Sequence, residues 1–165
     1  MPLESRGIFY YTMVIDTNTM ELRDHQKKIT QLMTTETKGK ILVPTGGGKT
    51  MCMIHDAKWR FSIPVPQTIV VVAPRILLAN QLCSEFLEHI DNVEVLHVHS
   101  GDTHHFKTTR PKTMEKWYHK TVKNILIFTT YHSLHRVQEA QDIEVDTIYF
   151  DEAHNSVQKN FLPAV

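Results

Sequence analysis

Residues 43–50 read VPTGGGKT, three consecutive glycines set between two apolar segments. Glycine loses more conformational entropy on ordering than any other residue, so a run of three marks a place where the backbone needs unusual freedom. Before it lies a short apolar run ending at Pro44 (KILV, 40–43), and after it an apolar-periodic stretch (KTMCMIHDAKWRF, 49–61). A buried strand turning tightly into a helix has that need. Without Cβ atoms in the way, several N–H groups of the turn can point at one anion. The positive N-terminal end of the following helix adds to the attraction. Lys49 is placed to reach the β- and γ-phosphates of a nucleotide, and Thr50 to put its hydroxyl on Mg²⁺. The complete phosphate-loop pattern asks for glycine at position 43, where this chain has Val43. A plain glycine-rich turn is therefore the competing reading at this point.

The rest of the chain supplies the context that a phosphate loop requires. GIFYYTMVI near the N-terminus is aromatic and β-branched, a strand or a packed arm. Leu22, Ile29, Leu32 and Met33 recur at helical spacing. TIVVVA (68–73), VEVLHV (93–98), NILIFTT (124–130) and DTIYF (146–150) read as strands. Between them PRILLANQLCSEFLEHI carries a helical stripe of Ile76, Leu77, Leu82, Phe86 and Leu87, and YHSLHRVQEA is a second helix. Residues 100–123 are polar and irregular, a loop with a helix around Lys112–Lys120. Strands and helices alternate, which predicts an α/β domain with a mostly parallel sheet and helices on both faces. Ligands of such sheets bind beyond the carboxyl ends of the strands. Both polar signatures of the chain, PTGGGKT and DEAH (151–154), fall there.

The second signature suits the same chemistry. Phosphoryl transfer from ATP needs an acidic group for the metal and a group that orients or deprotonates the attacking water. Asp151, at the end of a hydrophobic strand, suits the metal, and Glu152 the water. A surface acidic pair at a helix N-terminus is the bland alternative, and pairing with the glycine loop weakens it.

Composition sets bounds around this reading. With 41% hydrophobic and 22% charged residues, a chain of 165 residues is an ordinary globular domain rather than a disordered segment. Lys plus Arg equals Asp plus Glu at 18 each, so any nucleic-acid surface must be local. Cys52 and Cys83 stand far apart outside any metal pattern, which fits a reduced, cytosol-like compartment. No apolar run approaches the roughly 20 residues of a membrane span, and the N-terminus does not read as a signal peptide.

PTGGGKT and DEAH together resemble motifs I and II of the superfamily-two helicases. In that family motif I often opens on a residue other than glycine, which accommodates Val43. LRDHQ (22–26) is similar to the adenine-recognising Q-motif region, with Arg23 and Gln26 on the adenine side. APRILLANQ (73–81) looks like motif Ia, which implies that Pro74 and Arg75 lie near a nucleic-acid backbone. TTYHSL (129–134) looks like a later strand-end motif whose Thr129 and Thr130 touch that backbone. UvsW-type phage helicases and restriction-enzyme-like DNA translocases are the nearest in character. The resemblance implies a RecA-like phosphate-loop domain over residues 21–165, with 1–20 as an N-terminal strand or arm. It implies ATP and Mg²⁺ as cofactors and nucleic acid as partner, DNA rather than RNA, with no membrane. Pro44, Thr45, Gly46, Gly47, Gly48, Lys49 and Thr50 would hold ATP, and Thr50 and Asp151 the metal. Lys49, Asp151 and Glu152 would be catalytic, and His154 would couple the nucleotide to the rest of the motor.

The family pattern continues beyond what is present. Its Ser-Ala-Thr motif III, its second RecA-like domain and the arginines of that domain do not occur before the chain ends at Val165. None of Arg6, Arg23, Arg60, Arg75, Arg110 and Arg136 matches an arginine-finger motif. The expectation is one half of a two-domain motor, truncated after motif II, with the second domain supplied in cis or in trans and little activity alone. A non-catalytic nucleotide- or nucleic-acid-binding regulatory module is the alternative. A small kinase is a third reading, and it would call for an arginine-rich lid and no DEAH.

Two further features need weighing. Among eleven histidines, HVHSGDTHH (97–105) invites a metal, but no cysteine or carboxylate cluster in the sequence completes a zinc pattern, so these read as solvated histidines. Lys107, Arg110, Lys112, Lys116, Lys120 and Lys123 surround Trp117 and Tyr118. This stretch reads as a solvated insertion with Trp117 packed as its anchor rather than as a backbone-binding strip.

Overall fold

Seven strands in the order β2-β1-β7-β3-β6-β4-β5 build one sheet, and every neighbouring pair is parallel. The computed structural model describes residues 9–16, 28–29, 31, 38–44 and 48–151. The strands are β1 (Phe9–Asp16), β2 (Lys38–Pro44), β3 (Thr68–Ala73), β4 (Val93–Val98), β5 (Phe106–Lys107), β6 (Asn124–Thr130) and β7 (Thr147–Asp151). The helices are α1 (Lys49–Phe61), α2 (Ile76–His89), α3 (Pro111–His119) and α4 (Leu134–Glu139). The α/β class and the parallel sheet expected from the alternation of elements are what the chain forms.

β3 shows why. All six residues of TIVVVA are buried, which a parallel strand covered on both faces demands. Its side chains alternate between two cores. Ile69, Val71 and Ala73 join Leu126, Phe128 and Tyr149 under Cys52, Met53 and Ala57 of α1 and Ala79, Leu82 and Phe86 of α2. Val70 and Val72 join Leu96, Ile127, Ile148 and Phe150 on the other face, beneath Met114 of α3 and Leu134 and Val137 of α4. Ile29, from the stretch with helical spacing before β2, is buried in the first core.

The start of β7 is pinned to β3 by a reciprocal pair. The Thr68 N–H donates to Asp146 Oδ2 at 2.8 Å, and the Asp146 N–H to Thr68 O at 2.9 Å. Burial raises the Asp146 carboxyl above its ordinary range, against the pull of the Thr68 bond.

The N-terminal segment read as a strand or a packed arm contains β1, which pairs with both β2 and β7. Two expectations change in detail. Leu77 does not belong to the apolar stripe of α2. It is 68% exposed, and the buried face runs through Ala79, Leu82, Cys83 and Phe86. α4 is short, six residues from Leu134. The helix around Lys112–Lys120 forms as α3, opened by Pro111 in its first turn. Trp117 packs against the second core and stacks on Phe106, ring centroids 6.1 Å apart.

Because all strands run the same way, the C-terminal ends of β2, β3, β4, β6 and β7 lie along one edge of the sheet. The described residues contain no helix long and apolar enough to cross a membrane.

Candidate functional site

At that edge two charges meet. Lys49 Nζ lies 2.8 Å from Asp151 Oδ1, with the two side chains only 13% and 3% exposed. They come from opposite ends of the sequence pattern, Lys49 from the first turn of α1 and Asp151 from the last position of β7. β1 lies between their strands, and its Met13 is in register with both Ile41 of β2 and Asp151 of β7.

Gly48 makes the turn. It sits at φ 67° and ψ 45°, the left-handed region, and its carbonyl accepts from the Cys52 N–H at 3.1 Å. Only glycine adopts this conformation without strain. Gly48→Ala is therefore expected to lower stability by about 1–2 kcal/mol, read as a drop in the urea midpoint at unchanged m-value. The N-cap residue of α1 is Gly48, which has no side chain to cap it, and the first turn holds no acidic residue. The first-turn N–H groups and the positive end of the helix dipole thus have no counter-charge within the helix's own first turn. Thr50 is partly buried beside them.

Beneath the ion pair lies a buried polar network. Asp56, fully buried on α1, accepts from Arg60 Nε at 2.7 Å and from the Tyr149 hydroxyl, both at Oδ2. Burial pushes the Asp56 carboxyl up, while Arg60 and then Tyr149 pull it down. Tyr149 and Asp151 stand two residues apart on one face of β7. The network thus ties the helix carrying Lys49 to the strand carrying Asp151. Tyr131 adds a second tie, its hydroxyl donating to the Asp151 carbonyl at 3.2 Å while its ring stacks on Phe150. Sequence reasoning missed all four residues. Asp56 and Arg60 at i,i+4 were a signal, but that spacing serves an exposed pair equally well.

The motif Ia and TTYHSL residues take distinct positions. Arg75 is exposed and extended at the N-cap of α2, next to partly buried Pro74. Thr129 is fully buried, and its hydroxyl donates to Val98 O at 2.7 Å. That hydroxyl is thus engaged within the sheet. Thr130 Oγ1 accepts from the Ser133 N–H at 3.3 Å. Arg60, one of the six arginines, is taken up by Asp56. Arg23, Gln26, Thr45, Gly46, Gly47, Glu152 and His154 lie outside the described residues, and Pro44 is the last residue of β2.

A second cluster sits at the end of β4. His97 is fully buried, its Nδ1 3.0 Å from His99 Nε2, and the Gly101 N–H donates to His99 Nδ1 at 3.1 Å. Burial first, then His99 and His105, depress His97 to about 4, so its ring is neutral. Cys83 of α2, its thiol pushed up to about 11 by burial, comes beside His97 and His105. Cys83 thus joins these histidines from a different element, and His97 and His99 are buried rather than solvated.

The family described as type III restriction enzyme, res subunit (ResIII), matches residues 19–164. The chain belongs to this family, a helicase-like superfamily-two group, and forms its N-terminal RecA-like region. The structure is similar to that of a nuclease-deletion mutant of the type ISP restriction-modification enzyme LlaGI in complex with a DNA substrate mimic. The TM-score is 0.72 at 22% identity, over 86% of this chain and 16% of that one. The likeness shows the fold, and this chain spans only that small share of the larger enzyme. No curated protein matches the chain.

Proposed function

We propose that the chain is the ATP-binding motor domain of a superfamily-two DNA translocase or helicase, with the nucleotide seated at the C-terminal edge of the sheet between the 44–50 loop and Asp151. The observation that carries this reading is the Lys49–Asp151 contact of 2.8 Å beside a helix N-terminus whose N-cap is a glycine. A cation and a carboxylate held together, largely out of water, are what a Mg-nucleotide exchanges for its own phosphates and metal. Pro44, Thr45, Gly46, Gly47 and Gly48 would cradle the phosphates through backbone N–H groups, proline excepted. Arg23 and Gln26 would meet the adenine. Lys49 would leave Asp151 for the β- and γ-phosphates, freeing the carboxylate to join Thr50 in holding Mg²⁺. The metal supplies charge neutralisation on the phosphoryl oxygens. Glu152 would orient and deprotonate water, and His154 would pass the change onward. Pro74, Arg75 and the turn at Thr130 occupy the same edge, where a nucleic-acid strand would run. That the nuclease-deletion mutant of LlaGI is in complex with a DNA substrate mimic supports DNA as the track. Full turnover rests on a second RecA-like domain, in cis or in trans, that closes on this edge and brings an arginine.

Glu152 gives the test. In the complete motor, Glu152→Gln is expected to keep Mg-ATP affinity within about twofold in titration calorimetry and to lower DNA-stimulated turnover by at least about 100-fold. Turnover equal to the parent's removes Glu152 from the role. Binding with no turnover in the unmutated complete protein leaves the regulatory, non-catalytic reading.

A further inference from the structure

We propose that Cys83, His97 and His105 form a zinc-type metal site that fastens the loop between β4 and β5 to α2. Three elements bring the donors together. Cys83 lies on the buried face of α2, His97 near the end of β4, and His105 in the loop before β5. One donor atom from each falls within 4.8 Å of the others. A tetrahedral zinc site with Zn–S near 2.3 Å and Zn–N near 2.0 Å spaces its ligand atoms by about 3.5 Å. Closing the loop by roughly 1 Å on this estimate completes the geometry. The three residues line one cavity with Asn80, Ser84, Asp102, Thr103 and His104, leaving room for water at the fourth position.

A second observation points to a ligand. His97 Nε2 is buried and has no hydrogen-bond partner among the described residues. A buried polar atom left unpaired destabilises a fold, and a sheet that tolerates one beside a thiol and another imidazole has a use for it. Thiolate with two imidazoles is a donor set that selects zinc over magnesium or calcium.

The proton inventory closes. Without metal, the Gly101 N–H fixes His99 with its proton on Nε2, donated to His97 Nδ1, so that His97 carries its own proton on Nε2. With metal on Nε2, the His97 proton sits on Nδ1 and is donated back to His99 Nε2. The His99 proton moves to Nδ1, and the Gly101 N–H turns away. Both rings keep one proton, and the Cys83 thiol proton leaves to solvent as the metal–sulfur bond forms. Loading therefore reshapes the turn at residues 99–101, with a signature at the Gly101 amide.

The test uses Co²⁺ as probe on the untagged 165-residue chain. The expected result is one Co²⁺ per chain, a thiolate-to-cobalt charge-transfer band, displacement by Zn²⁺ and a shifted Gly101 amide resonance in the Zn²⁺-loaded chain. Cys83→Ser removes the band. His105→Ala, a loop change that leaves the core packed, weakens binding by at least about 100-fold. His135→Ala, on exposed α4 surface, changes neither. Zn²⁺ also raises Tm in the parent and not in His105→Ala. Cobalt bound without a thiolate band, or bound equally by His105→Ala, overturns the proposal. An unchanged Gly101 amide on Zn²⁺ loading overturns the tautomer exchange on which it rests.

Discussion

Lys49→Ala will lose Mg-ATP binding by more than about 100-fold and will also lower the stability of the nucleotide-free domain by about 3 kcal/mol. The two effects have different origins. Affinity falls because a charge contact to the β- and γ-phosphates goes. Stability falls because Asp151, 2% exposed, loses a cation at 2.8 Å and stays buried. Removing one partner of a buried pair costs more than the pair itself contributes, and the 13% exposure of Lys49 puts the loss at the low end of the range. Asp151→Asn alone takes the carboxylate away from the largely buried ammonium in the same way. The double variant Lys49→Ala/Asp151→Asn removes both charges of the pair together, so it will be more stable than the sum of the single losses predicts, by about 1–3 kcal/mol. Urea unfolding of the four proteins measures this. Additive losses would show that the pair is not coupled, and an unchanged nucleotide affinity in calorimetry would sink the site itself.

Much of this pair was legible in the sequence. GGGKT after an apolar run and DEAH after another are local patterns, and a parallel sheet brings the ends of its strands to one edge whatever lies between them. β3, β6 and α1 fell at their expected residues because each is bounded by a breaker, such as Pro64 after α1, or by a change of hydrophobic period. What escaped notice was what depends on tertiary distance. Asp56 and Arg60 look like any solvated i,i+4 pair until Tyr149 arrives from 93 residues away. Cys83 and His97 lie on different elements, so no spacing rule joins them. Thr129 reads as a polar strand-end residue, and only the neighbour Val98 shows that its hydroxyl turns inward. Leu77 was misassigned because helical periodicity gives the spacing of a stripe without fixing its angular edge.

Asp56→Ala is expected to give the largest stability loss of any single change considered, about 3–5 kcal/mol. Arg60 is 3% exposed and would lose the carboxylate that its Nε meets at 2.7 Å, and the Tyr149 hydroxyl would lose the Asp56 acceptor in the same core. Domains of this size are stable by about 5–15 kcal/mol in total, so the variant will populate unfolded chains at temperatures where the parent does not. Tyr149→Phe removes one hydrogen bond and leaves the ion pair intact, so its loss is smaller, about 1–2 kcal/mol. Replacing the pair together, Asp56→Leu/Arg60→Leu, removes both charges from the interior. That change will recover most of the stability, because an apolar pair avoids the desolvation that the ions suffer. Nucleotide binding separates structural support from site alignment. Asp56 lies two turns along α1 from Lys49, and Tyr149 two residues before Asp151, so the network sets the angle at which helix and strand present the two charges. The apolar double variant will fold, yet bind Mg-ATP more weakly than the parent. If it binds with parental affinity, the network is scaffolding for the core and takes no part in aligning Lys49 with Asp151.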